Sequence, residues 1–267
     1  MQDQKTSHVN IVKKKPADWT AEDIANFWDW QSKNISRQQQ YFTASLAPGI
    51  VQFIKRKGLL KGNVLDYGCG AGHLLQEMCK VTAHRALRAV NFYGLDFSAD
   101  SIEETKKRTA GKANLKQLVL ISALPTPFND EQFDSITLIE TIEHLQDDQL
   151  QETMQELFRI LKRKGRIFIT TPFNEDLQSH LKFCPFCKSE FHQMQHMQSF
   201  DIAGLTALAS KHGFVTEECV NMDIQKLKLG PAKYFIKRSL SKMAVAAGLK
   251  EDTGFPTPNL IALLVKP

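Results

Sequence analysis

Four groups of residues in this chain have the types and spacing to do chemistry. The first is Asp66-Tyr67-Gly68-Cys69-Gly70-Ala71-Gly72, at the end of a short apolar run. Glycines let a backbone turn sharply and come close to a ligand that any Cβ would strike. Their G-x-G-x-G spacing is not the G-x-G-x-x-G of a dinucleotide site. Asp66 stands two residues before the first glycine, and a carboxylate there suits a cationic ligand end rather than a pyrophosphate. S-adenosylmethionine (SAM) carries an ammonium and a sulfonium and fits that charge, with the backbone of Gly68, Cys69, Gly70 and Gly72 as its cradle. The second group is Asp96, 24 residues after Gly72, with Phe97 beside it. A carboxylate there can hold both ribose hydroxyls by charge-assisted hydrogen bonds. Phe97 would pack on the adenine, and Ala123 and Leu124 would meet its edge. The competing reading is that both aspartates are caps or turn residues.

The third group is Glu140-Thr141-Ile142-Glu143-His144, after a strand-like run. Ligands of open α/β sheets bind beyond the carboxyl ends of strands, so this segment belongs at an active-site rim. His144 is the candidate base, with Glu140 and Glu143 orienting it or the substrate. The bland alternative is that Glu143 and His144 cap the next helix. The fourth group is Cys184-Pro-Phe-Cys187, followed by His192 and His196. C-x2-C-x4-H-x3-H provides two thiolates and two imidazoles, the donors of a tetrahedral structural zinc site. Against this, the cysteines could be incidental and His196 could face the substrate.

The elements that must hold these groups follow from periodicity. Strand patterns occupy 63–67, 89–96, 117–121, 133–139, 166–171, 214–222 and 260–265, and helical patterns occupy 71–80, 98–108, 148–163 and 201–212. Leu150, Met154, Leu157, Phe158 and Leu161 mark one face at the helical period. Alternating strands and helices predict a mainly parallel sheet with helices on both faces. Ahead of it, Thr20 with Asp23 reads as an N-cap for a helix to about Gln38, and a second helix runs over 48–57. This organises the chain into a disordered tail (1–18), a helical lid (19–60) and an α/β domain (61–267). Insertions fall at 173–199 and 223–257, the latter basic and amphipathic. Trp28, Trp30, Tyr41 and Phe42 make the lid aromatic, which fits water exclusion over a cofactor or simple burial against the sheet.

The segments VLDYGCGAGHL, YGLDFSADSIE, FDSITLIETIEHLQD and LKRKGRIFITTP resemble successive motifs of class I SAM-dependent methyltransferases, in particular the ubiquinone-biosynthesis-type O-methyltransferases. The resemblance spans roughly residues 60–220. It implies a Rossmann-like seven-stranded sheet with an antiparallel last strand at 260–265, and SAM as cofactor. Lys162-Arg163-Lys164-Gly165 departs from the usual proline and two glycines of that turn. In the ubiquinone-type enzymes E-x-x-E-H lies near the substrate, which would make His144 the base for a phenol or enol hydroxyl. In small-RNA 3′-terminal 2′-O-methyltransferases the same spacing supplies metal ligands, completed here by His192 or His196. The Asn/Asp-Pro-Pro-aromatic motif of nucleic-acid amino methylation is absent from 139–144. The expected reaction is therefore O-methylation of a small molecule or a lipid or glycan precursor. Metal-dependent RNA 2′-O-methylation is the alternative, and a non-catalytic SAM-binding interaction protein is the third reading.

Composition fits that picture. The 267 residues are 42% hydrophobic, enough for one large core. No apolar run approaches the ~20 residues of a membrane span, and Met1–Lys15 lacks a secretory h-region, so the expected location is cytoplasmic. Five cysteines, without an export signal, argue against a disulfide framework. A net charge of +5 is weak evidence for nucleic acid. The seven lysines and arginines between Lys226 and Lys250, with no acid among them, suit an anionic substrate, peripheral contact with an anionic membrane, or a solvated helix face.

Overall fold

The computed structural model describes residues 19–38, 41–81, 90–224, 226, 236, 239, 240, 243 and 258–267. The expected tail and most of the expected 223–257 insertion lie outside these residues. Three helices lead in: α1 (Ala21–Lys33), α2 (Ile35–Gln38) and α3 (Phe42–Arg56). The alternation follows as β1 (Asn63–Tyr67), α4 (His73–Val81), β2 (Asn91–Asp96), α5 (Ala99–Arg108), β3 (Leu115–Leu120), β4 (Phe133–Ile139), α6 (Asp147–Ile160) and β5 (Leu161–Pro172). A hairpin of β6 (Leu181–Phe183) and β7 (Glu190–His192) precedes α7 (Ile202–Lys211), β8 (Val215–Met222) and β9 (Asn259–Val265).

The sheet has seven strands in the order β3-β2-β1-β4-β5-β9-β8. β9 runs antiparallel to both neighbours, and β1 to β5 are parallel. This is the Rossmann-like fold expected of the sequence. Side chains alternate across a strand, so a sheet covered on both faces must be apolar on both. Leu65, Ile136, Leu138, Ile167 and Ile169 pack with Leu150, Met154 and Leu157 of α6 and Leu205 of α7. Their neighbours Val64, Ile139 and Phe168 join Ile50 and Ile54 of α3 and Leu74, Leu75 and Met78 of α4 on the other face. A fully buried Leu, Ile or Phe of this kind contributes about 1.5–3 kcal/mol.

Local signals held where caps or glycines set them. Thr20 Oγ1 accepts from the Asp23 N–H (3.1 Å), and Asp23 accepts from the Thr20 N–H (2.8 Å). Elsewhere boundaries moved. The first helix breaks at Asn34, and α3 starts six residues before Pro48. Gly165, read as the stop of the helix over 148–163, lies inside β5, because the chain passes from α6 into a strand at Leu161. Lys164 takes φ 61° there, and a Cβ on Gly165 would stand 2.7 Å from the Lys162 carbonyl. The β6–β7 hairpin carries no period that sequence reading could detect.

Candidate active site

The glycine loop leaves β1 at the carboxyl edge of the sheet. Gly68 and Gly72 both take φ 77°. A Cβ on Gly68 would reach 2.7 Å from Thr141, and one on Gly72 would reach 2.7 Å from Thr105. The loop is thus pinned between α5 and the segment after β4. Gly68 and Cys69 donate to the Leu95 carbonyl at 2.8 and 2.9 Å, and Gly70 donates to Asp96 Oδ2 at 2.8 Å. The other Asp96 oxygen accepts from the Ser98 N–H at 2.9 Å. Asp66 accepts from Thr137 Oγ1 at 2.8 Å. Both aspartates are buried, and burial pushes their carboxyls up to about 7 for Asp66 and about 6 for Asp96. A cationic ligand would reverse that penalty. Neither aspartate is a helix cap: Ser98 fills that role for α5. Phe97 stands partly exposed next to Asp96, while Ala123 is exposed and Leu124 half-buried in the turn after β3.

The lead-in helices close over this edge. Asp29 accepts from Ser98 Oγ at 2.6 Å, and Ser32 shares a hydrogen bond with Ser101 at 2.8 Å. Tyr41 lies 3.7 Å from the Cβ position of Gly70. Trp28 sits edge-on to both Tyr41 and His144, with ring centroids 6.2 and 4.8 Å apart. One aromatic side chain therefore bridges the cofactor loop and the segment after β4. Trp30, grouped with Trp28 in the sequence, instead faces out under the Arg37 guanidinium. Phe42 packs against the core.

After β4, Ile142–His144 form a single 3-10 turn. They do not cap the next helix; α6 starts at Asp147, and its N-cap is Gln146, whose N–H donates to Gln149. Glu140 takes φ 49° and turns into the sheet, where its carboxylate accepts from Thr170 Oγ1 (2.8 Å) and Asn259 Nδ2 (3.1 Å). Its carboxylate is thus taken up by β5 and β9, and its contact with the His144 ring is through the backbone. Glu143 is the opposite case. Its side chain is buried, and among the described residues the Thr171 hydroxyl and its own backbone approach its carboxylate without a well-formed hydrogen bond. Burial first, then the nearby Glu140 charge, raise its carboxyl well above the ordinary range.

The segment 192–198 is stapled onto this turn. The N–H groups of Met197 and Gln198 donate to the Glu143 carbonyl at 2.7 and 3.0 Å. Gln195 Nε2 donates to the His144 carbonyl (2.9 Å), and Trp28 Nε1 donates to Gln195 Oε1 (2.9 Å). Two sets result. Ligand atoms of Glu143, His144 and His196 all lie within 4.8 Å of one another, as do those of Glu175, His192 and His196. Among the described residues no such set includes a cysteine. The four residues expected to hold one zinc ion are therefore divided. The hairpin turn holds Cys184 and Cys187, with Cys187 Sγ 3.3 Å from Ser189 Oγ, while the stapled backbone turns His192 and His196 toward Glu175. That hydrogen bond to Ser189 is the main cause holding the Cys187 thiol below its ordinary range. Glu175 was missed in the sequence; it lies three residues beyond Pro172, at a strand's carboxyl end, where ligand-binding residues concentrate.

Comparison with known proteins agrees with the fold and with the family that the motifs resemble. A family described as a methyltransferase domain matches residues 36–218. The ubiquinone/menaquinone biosynthesis C-methyltransferase of Geotalea daltonii is 31% identical over 113 residues, 40% of this chain and 44% of that protein. The ubiquinone biosynthesis O-methyltransferase of Pelagibacter ubique is 32% identical over 126 residues, 47% of this chain and 48% of that protein. The matched stretch spans about half the length of these curated relatives. Among solved structures, the DhpI–SAH complex superimposes with a TM-score of 0.59 at 14% identity, covering 92% of this chain and 96% of that one. A SAM-dependent methyltransferase from Aquifex aeolicus gives 0.52 at 13% identity, covering 93% and 100%. At those identities the likeness concerns the fold. The family match covers more than half the chain, and the chain belongs to the class I SAM-dependent methyltransferases.

Proposed function

We propose that this chain moves the methyl group of SAM onto an oxygen of a small hydroxylated acceptor, including lipid-linked and glycan precursors. One observation carries the reading: His144, with Glu143 and His196, sits where the chain leaves β4, and Thr141 of the same segment touches the cofactor loop. Burial first, then the charge of His196, hold His144 down at about 3, so its ring is neutral at physiological pH. Its Nδ1 faces the Gln195 carbonyl at 3.3 Å. A carbonyl only accepts, so in the tautomer that serves this contact Nδ1 carries the proton and Nε2 the lone pair. In the reaction the acceptor oxygen attacks the methyl carbon, the carbon–sulfur bond breaks, and sulfur keeps the pair as a neutral thioether. The hydroxyl proton passes to His144 Nε2 and then to solvent. Alignment within about 3–3.5 Å supplies most of the acceleration, and a base adds about 10²–10⁴-fold. Glycines 68, 70 and 72, the Cys69 backbone, Asp66 and Asp96 would hold SAM, with Phe97, Ala123 and Leu124 around the adenine.

The curated relatives are named for transfer to carbon in one case and oxygen in another; a proton acceptor at the end of β4 favours oxygen. The same convergence also favours a second reading, methylation of an RNA ribose 2′-hydroxyl. Transfer of a labelled methyl from SAM into a fractionated cell extract separates the two. Label in the small-molecule or lipid pool supports the first reading. Label confined to RNA overturns it in favour of the second.

A further inference from the structure

The geometry points to Gln195 as a positioning residue that couples helix α1, over the cofactor half, to the orientation of the His144 ring. Gln195 is 1% exposed, and its backbone takes φ 60°. That conformation suits glycine and is uncommon for a longer side chain, so the turn by itself gives no reason for glutamine. The amide supplies one. Its Oε1 accepts from Trp28 Nε1 at 2.9 Å, and its Nε2 donates to the His144 carbonyl at 2.9 Å. An indole N–H only donates and a carbonyl only accepts, so these two partners fix which way the amide points. The Gln195 carbonyl in turn faces His144 Nδ1 at 3.3 Å. One residue therefore holds His144 both at its backbone and at its ring.

The far end of this connection reaches Asp96, the carboxylate proposed to hold the ribose. Trp28 and Asp29 are neighbours on α1. Asp29 accepts from Ser98 Oγ at 2.6 Å, and the Ser98 N–H donates to Asp96 Oδ1 at 2.9 Å. Ser32, on the same helix, shares a hydrogen bond with Ser101 at 2.8 Å and fixes α1 against α5. Hydrogen-bonded groups thus run from Asp96 through Ser98, Asp29 and Trp28 to Gln195 and His144. The Trp28 ring also stands edge-on to the His144 ring, with centroids 4.8 Å apart. Polar groups linked in this way away from water reinforce one another, so the chain of contacts acts as a unit.

The coupling stands on these contacts alone; its consequence for the reaction rests on the proposed oxygen methylation with His144 as base, and deepens it. A cofactor that engages Asp96 settles Ser98 and α1. The Trp28 N–H then meets the Gln195 amide, and the amide and carbonyl of Gln195 set the direction of the His144 ring. The acceptor half is completed once the cofactor is seated, so SAM binds before the acceptor. Misplacing a reacting group by about 1 Å costs about 10²-fold in rate, so Gln195 acts chiefly on the rate of transfer. Its effect on SAM affinity lies near the small end of coupling between sites, about fivefold.

The test is nitrogen NMR of the histidine rings and tryptophan indoles in the full chain, with single-turnover transfer of labelled methyl into the small-molecule and lipid fraction of a cell extract. His144→Ala and Trp28→Phe assign the two signals. Addition of SAM to the wild type is expected to shift the His144 ring signal. Gln195→Gly keeps the left-handed turn and removes the amide. It is expected to lose that shift and about 10–100-fold in transfer, while SAM affinity reports that it is folded. Gln195→Glu retains an acceptor for Trp28 Nε1 but no donor for the His144 carbonyl, so it is expected to keep the Trp28 indole signal and still lose transfer. Trp28→Phe combined with Gln195→Gly is expected to be no worse than Gln195→Gly alone, whereas unconnected packing roles give additive losses. Absence of the shift in the wild type, its persistence in Gln195→Gly, or additive losses would each overturn the coupling. Full transfer by Gln195→Gly where His144→Ala loses it leaves the imidazole-base reading standing and removes the positioning role. Full transfer by His144→Ala, with the shift lost in Gln195→Gly, supports the coupling and removes the base reading.

Discussion

The two halves of the carboxyl edge are built in opposite ways. On the β1–β2 side, the proposed cofactor site is mostly backbone: three left-handed glycines, N–H groups tied to Leu95 and Asp96, and two carboxylates at the carboxyl ends of their own strands. On the β4–β5 side the site is made of side chains from distant segments, with His144 meeting His196 across 51 intervening residues. A backbone site tolerates side-chain exchange but not an added Cβ. A side-chain site should show the reverse, and the cofactor half should work without the acceptor half.

The largest expected effect is on the acceptor side. Glu143→Ala removes the buried carboxylate shared by every reading of this cluster, and methyl transfer should fall about 10²–10⁴-fold while SAM affinity stays within about threefold. Single-turnover transfer alongside a SAM titration checks it. Equal losses in both would erase the distinction between the halves.

Gly68→Ala probes the other half. The new Cβ meets Thr141 at 2.7 Å in a φ 77° conformation, and left-handed strain adds about 1–2 kcal/mol. SAM affinity should drop about 10–100-fold, since each 1.4 kcal/mol is a factor of ten. Unaltered affinity would show that the loop does not approach the cofactor.

The smallest effect is on pH dependence. In the ligand-free chain Asp66 and Asp96 lie at about 7 and about 6, raised mainly by burial. The SAM ammonium favours their ionised forms, so the bound chain has lower carboxyl pKa values and releases protons on binding. Affinity should therefore rise from pH 5.5 to pH 8 and fall on acidification, by at most about tenfold per pH unit for each titrating group. Calorimetry at three pH values reads this directly. A flat profile would remove these carboxylates from contact with the cofactor's charge.

The same contrast explains what the sequence could reveal. The glycine loop and the alternation of strands and helices were legible because each is a local signal: a spacing or a period. The direction of Glu140 was not, because Thr170 and Asn259 that capture it come from β5 and β9. Nor was the partner of His196. C-x2-C-x4-H-x3-H reads as one unit along the chain, but the N–H bonds of Met197 and Gln198 to the Glu143 carbonyl turn the histidines away from the cysteine hairpin. Glu175 and Gln195 carry no motif and gain their roles only from that stapling. Element boundaries failed for a related reason, as at Gly165, where pairing with β4 extends β5 through a residue that looked like a helix stop.

The most direct measurement is SAM affinity and methyl transfer in one preparation of His144→Ala. The account predicts unchanged SAM affinity with transfer reduced by at least about 10²-fold. Full transfer in that variant would contradict it, because the oxygen-activating chemistry would then lie elsewhere than at the end of β4.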